Sequence, residues 1–180
     1  IIKMRFLFFL VLIFVSCSND PKLVQEFVSS EVLPIEKIEG AEMLHTENGK
    51  LKVKIVATTI ERFNNQQPQL VFSNHLVVYF YNDSALVQST LKAEYAEIND
   101  GKKLMTAKEN VILTNITGKK LESEELIWDE KNNKIYTDKK VKITTGKEVI
   151  EGEGFVSNPD FTEYSISKIH GTFNFETPNE

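Results

Sequence analysis

The chain has 180 residues, with 21 Lys and Arg against 26 Asp and Glu, a formal charge of −5 and a single cysteine. The acidic balance excludes a nucleic-acid binder, which needs a basic surface to displace counterions from phosphates. One cysteine excludes an intramolecular disulfide and a thiolate metal cluster, while the length suits one domain with a true core.

The first seventeen residues read as a secretory signal. Lys3 and Arg5 form a basic start, Phe6 to Val15 is an unbroken run of ten apolar residues, and the small Ser16 directly precedes Cys17. Ten residues are too few to span a bilayer, which takes about 20 in a helix. Phe14-Val15-Ser16-Cys17 resembles a bacterial lipobox, with Phe14 where leucine is usual. In a lipobox the thiol is acylated and becomes the new N-terminus, so Cys17 is the expected lipidation site. Two acyl chains there make membrane attachment stable. Loss of Lys3 and Arg5 with the signal takes the charge from −5 to −7, which argues against a polybasic membrane patch. Residues 18–40 carry Pro21 and Pro34 and read as a tether; 41–176 read as the folded body.

From Leu51 the hydrophobic period becomes two. Leu51, Val53, Ile55 and Ala57 alternate with Lys52, Lys54, Val56 and Thr58, as do Val141 and Ile143 with Lys140, Lys142 and Thr144. Asn99-Asp100-Gly101, Lys131-Asn132-Asn133 and Asn158-Pro159-Asp160 are turn clusters between apolar runs. No window from 50 to 175 has a helical period, so the body is predicted to be all-β. Leu76-Val77-Val78-Tyr79-Phe80-Tyr81 is apolar on both faces, as in a strand covered on both sides or one that meets a lipid or partner.

The segments repeat at about thirty residues. Leu91, Ala93, Ala96 and Ile98 match Leu121, Ser123, Leu126 and Trp128, and a third copy runs through Ile150, Gly152, Phe155 and Ser157. Leu104 and Thr106 match Ile135 and Thr137, and Val111 and Leu113 match Val141 and Ile143. A looser copy places Phe72, Val77 and Tyr79 opposite Thr106, Val111 and Leu113. Such periodicity marks stacked β units, each burying its face against its neighbours. Small residues recur at Ala93, Ser123 and Gly152, where they leave width between sheets. A close backbone approach or bulge is the other reading of the glycines, and the better one for Gly154.

These motifs, with Asn110-Val111, Trp128-Asp129, Thr137-Asp138, Gly152-x-Gly154-Phe155 and, upstream, Gln67-Pro68 and Tyr79-Phe80-Tyr81, resemble the LptC/OstA-like repeat of lipopolysaccharide export. The likeness covers roughly Leu51 to Gly171. Many members are held by an N-terminal transmembrane helix, whereas this chain carries a lipobox. The resemblance implies an open antiparallel β-jellyroll, two sheets that leave an apolar groove between them. It implies a periplasmic protein, anchored by its lipid to the inner membrane, that receives lipopolysaccharide from an ABC transporter and passes it to an LptA-like bridge protein. Each methylene exposed to water costs about 0.8 kcal/mol, so acyl chains need cover throughout the transfer. Unpaired edge strands supply the joints between domains by strand addition. The Leu51–Ala57 strand is expected to face the transporter, and Tyr164 to Phe175 the bridge. Val78, Phe80, Ala96, Ile98, Leu113, Leu126, Trp128, Ile143 and Phe155 are the groove candidates, each equally readable as plain core.

Nothing points to chemistry. His45, His75 and His170 are scattered without metal-ligand spacing. Glu122, Glu124 and Glu125 read as a solvated strand face, and no nucleophile elbow, P-loop or dinucleotide fingerprint occurs. No cofactor or catalytic residue is expected. A jellyroll adaptor that carries no lipid and a glycan-binding lipoprotein are the alternatives.

Overall fold

A computed structural model describes residues 33–170, apart from 65 and 147. The signal segment, Cys17, the tether up to residue 32 and the C-terminal residues from 171 lie outside the described residues. Ten strands follow one another: β1 (Glu36–Glu47), β2 (Lys50–Arg62), β3 (Leu70–Tyr81), β4 (Val87–Ala93), β5 (Tyr95–Asn99), β6 (Leu104–Asn115), β7 (Lys120–Asp129), β8 (Lys134–Thr144), β9 (Val149–Ser157) and β10 (Tyr164–His170). All belong to the compact unit Pro34–Glu180. They form one antiparallel sheet in the order β1-β2-β3-β4-β6-β7-β8-β9-β10, with β5 pairing to β3 and β6. The outer strands β1 and β10 pair only with β2 and β9, so the sheet is not a closed barrel. The fold is an all-β, open jellyroll.

A seam of irregularities bends every long strand near its middle. Gly40 in β1 and Gly154 in β9 have positive φ, as do Asn74 and His75 in β3 and Glu109 and Asn110 in β6. Register shifts mark the same level in β2 (Ala57/Thr59), β7 (Ser123/Ile127) and β8 (Thr137/Lys140). At Glu94 the chain breaks into β4 and β5; its N–H donates to Glu109 O, and its carbonyl accepts from His75 N–H. Bulges bend a strand and increase its twist, and aligned across a sheet they fold it. Each strand therefore contributes one segment to a first wall and one to a second. Phe80, from the first, meets Trp128, from the second, edge to face at 5.5 Å between ring centroids.

The hairpin turns lie at the two free rims of this folded sheet. Asn48 and Gly49, at φ 51° and 76°, supply the left-handed pair that a two-residue hairpin requires. At the turn after β7 the Asp129 carboxylate accepts from the Asn132 backbone (2.9 Å) and side-chain amide (2.7 Å), bonds that hold its carboxyl below the usual range. Asp83, in the turn after β3, accepts from Lys52 and, at 3.0 Å, from Lys50. The Lys52 bond first and the Lys50 bond second lower its carboxyl to about 2. A depressed folded-state value means that this contribution is present above the unfolded value of about 3.9 and is lost as pH falls through about 2. The expected carbon-NMR titration midpoint of Asp83 is near 2; a midpoint near 3.9 would show that the lysine bonds do not persist in solution. Asp83→Asn should flatten this part of the acid limb and do little at neutral pH, since exposed pairs contribute little.

Several expectations need correction. Leu51–Ala57 lies in β2, which is covered by β1, so the free N-terminal edge is β1; it begins at Glu36, inside the stretch read as tether. The looser repeat was out of phase. Val77 and Tyr79 face outward and are half-buried, whereas Val111 and Leu113 are buried. The true partners are Leu76 and Val78, because a one-residue slip turns every side chain to the other face. Leu104 and Thr106 likewise point away from the core, and Met105 and Ala107 occupy the inward positions matched to Ile135 and Thr137.

Candidate functional site

The inner surfaces of the two walls carry continuous apolar rows that cross the sheet perpendicular to the strands. In the first wall, direct cross-strand partners run Met43, Ile55, Val78, Leu91, Leu113, Leu121, Ile143, Ile150. Seven spacings of about 4.8 Å make this row roughly 34 Å long. In the second wall a row runs Ile38, Ile60, Phe72, Ala96, Ala107, Leu126. Beside it runs another, Leu70, Ile98, Met105, Trp128, Ile135, Ser157. Period-two strands produce such rows wherever register is kept, because cross-strand partners share a face.

All nine groove candidates lie on this inner surface. Val78, Leu113 and Ile143 belong to the first-wall row, with Phe80 one inward position nearer the rim. Ala96 and Leu126 share a second-wall row, and Phe155 continues that surface opposite Thr137. Val78, Phe80, Ala96, Leu113, Leu126, Ile143 and Phe155 are buried, while Ile98 and Trp128 are partly buried and pack against the core. The same rows contain Leu91, Leu121, Phe72 and Ile135, which the sequence marks as repeat positions but not as groove candidates, and Leu76 lies one inward position from Val78, between Ala57 and Ala93. Phe161, directly after the Asn158-Pro159-Asp160 turn cluster, is not among the groove candidates. It lies between β9 and β10, yet is fully buried against Phe155 and Tyr164, at 5.7 and 5.6 Å between ring centroids.

The predicted small residues do different things. A Cβ on Gly152 would collide with Ile166 and sit 2.6 Å from the Lys168 carbonyl oxygen, so this glycine lets β10 close onto β9. Gly154, at φ 76°, stands opposite the β8 bulge, where Thr137 pairs with Phe155 and Lys140 with Glu153, and lies against Ser167. The outward face of β3 is half-buried rather than covered: Tyr79 stands between Lys54 and Thr90 on the outer surface.

Between the rims, above Phe80 and Trp128, lies a cleft of about 510 Å³. His45, Lys52 and Asp83 stand on one side of it, and Glu130, Lys131 and Asp160 on the other. The His45 ring meets the Trp128 edge at 6.3 Å and its Nε2 lies 3.8 Å from Glu130 Oε1. Trp128 Nε1 is buried without a hydrogen-bond partner. Among the described residues no group of three or more His, Cys, Asp or Glu side chains is placed to hold a metal ion. An apolar interior between two walls is suited to covering greasy chains.

No curated protein matches the chain in sequence. The family described as "Lipopolysaccharide-assembly, LptC-related" matches residues 8–168, most of the chain. A folded open sheet with these inner rows, matched over that length, makes this protein a member of the LptC family, with a role in lipopolysaccharide transport.

Proposed function

We propose that this protein receives lipopolysaccharide from an inner-membrane ABC transporter, shelters its acyl chains between the two walls, and passes it to an LptA-like jellyroll. On this reading the domain sits in the periplasm, tied to the inner membrane by a lipid on Cys17. The observation that carries the proposal is the first-wall apolar row, unbroken from β1 to β9 and ending beside strands with one unpaired edge each. Acyl chains lying along that row would replace wall-to-wall contacts with chain-to-wall contacts, so dispersion and apolar cover are retained. The sugars stay in water at the rim. The free edges of β1 and β10 offer backbone N–H and C=O groups for strand addition by the preceding and following domains. No covalent change in the lipid is required; direction comes from ATP hydrolysis in the transporter.

Photo-crosslinking tests this. With benzoyl-phenylalanine at Phe80, Trp128 or Phe155, irradiation of cells is expected to yield adducts with lipopolysaccharide, and the same probe at outward-facing Tyr79 should yield none. If no inner position gives an adduct in folded protein that still co-purifies with the transporter, the domain is a lipid-free adaptor.

A further inference from the structure

We infer that the β9–β10 loop, residues 158–163, is a latch that fastens the two rims together, with Phe161 as its stopper, and that its release admits acyl chains to the interior. The inference rests on the lipid-transfer reading above and names how that same groove opens. Three observations carry it.

The first is that the loop crosses from one wall to the other. It belongs to the second rim, yet the hydroxyl of Ser89 in β4 donates to Pro159 O, and the side-chain amide of Asn115 in β6 donates to Phe161 O at 3.1 Å. Lys119, in the turn after β6, donates from Nζ to Thr162 O at 3.3 Å and lies over the Phe161 and Tyr164 rings, 5.2 and 4.6 Å from their centroids. The second concerns Ser89 and Asn115 themselves. They are buried, 1% and 5% exposed, and extend a first-wall row that otherwise holds Val53 and Phe80. Polar side chains at such positions need partners: Ser89 finds its partner in Pro159 O, and Asn115, whose Oδ1 accepts from Thr117 and Lys119 in its own turn, gives its amide N–H to Phe161 O. The third is that the loop is fastened to itself. The Asn158 side chain accepts from Thr162 N–H (3.0 Å) and Glu163 N–H (3.2 Å) and donates to the Thr162 hydroxyl (2.7 Å). It can therefore move as a unit on the terminal pair β9–β10 and leave the rows of β1 to β8 intact.

In the latched state Phe161 is fully buried against Phe155, and the loop's Asn158, Pro159 and Asp160 line the cleft above Phe80. A chain coming in over the rims meets this loop before it meets the inner row. Lifting the loop exposes the Phe155 ring and gives a path from the cleft to the groove.

The test uses the full-length chain with Cys17→Ser, Lys119→Cys and Thr162→Cys, joined by a short reducible bismaleimide, with benzoyl-phenylalanine at Phe80 and purified lipopolysaccharide as the probe. Stapling is expected to lower adduct yield at least tenfold, and reduction of the linker to restore it, with the melting curve of the stapled form showing that it is folded. Phe161→Ser should raise the rate of adduct formation several-fold. Equal yield from stapled and unstapled protein would overturn the latch and leave lipid transfer standing. No adduct from any form, the unstapled and Phe161→Ser proteins included, would overturn lipid transfer and the latch with it.

Discussion

Phe72→Ala is expected to destabilise the domain by about 3–5 kcal/mol, the range for deleting a buried phenylalanine ring. Phe72 is fully buried in β3, in a row where its neighbours on β5 and β6 are Ala96 and Ala107. The two alanines leave the space that the ring occupies. Domains of this size have about 5–15 kcal/mol of stability in all, so the loss runs from about a fifth of the total to all of it. The thermal midpoint should fall by roughly 10 °C, and urea unfolding should show the same change with an unaltered slope. Ala96→Leu tests the same packing from the opposite direction, since overfilling costs about 1–3 kcal/mol. A Phe72→Ala cost below about 1 kcal/mol would mean that the walls are already separated there in solution.

Gly152→Val is expected to release β10 while the rest of the sheet remains folded. Even a methyl group at this position collides with Ile166 and with the Lys168 carbonyl, and neither β9 nor β10 can move aside without breaking their ladder. β10 pairs with no strand but β9, over Tyr164 to His170, so separation is the least costly relief. Amide exchange should rise by orders of magnitude for the β10 residues whose N–H groups pair with β9, and change little in β2 or β6. If β10 is the edge that receives the bridge protein, capture of that protein should be lost together with this protection. Unchanged exchange in β10 would require a backbone rearrangement that absorbs the new side chain, and would remove Gly152 as the determinant of edge closure.

The parts legible in the sequence were those governed by period two and by turn chemistry. Val53, Ile55 and Ala57 alternate as written, and the Asn99, Lys131 and Asn158 clusters all turn the chain. Repeat partners such as Leu91 with Leu121 and Ala96 with Leu126 do fall on shared inner surfaces. What failed was phase where a strand is apolar on both faces. Val77 and Tyr79 read as well as Leu76 and Val78, and only pairing to β2 and β4 decides between them. Leu104 misled for the same reason, being larger and more apolar than Ala107, which is the buried residue. β1 was missed because its burial pattern is mostly exposed, as befits an edge strand with one neighbour. Phe161 could not be placed from its local sequence, since a turn aromatic is ordinarily exposed, and the side chains that hold its loop are remote in sequence, Asn115 lying 46 residues from Phe161 and Ser89 70 residues from Pro159.

Because every long strand crosses the seam, both walls grow at the same rate along the polypeptide. The thirty-residue unit from Leu121 to Ile150 lays two strands into each wall, lengthening the enclosed passage by roughly 10 Å without changing its cross-section. Girth and reach are thereby set by separate features: residue size along the rows decides the spacing of the walls, and the number of units decides how long the covered interior is. Gene duplication of a single unit would yield a longer conduit with the same bore, which makes this architecture extensible in steps.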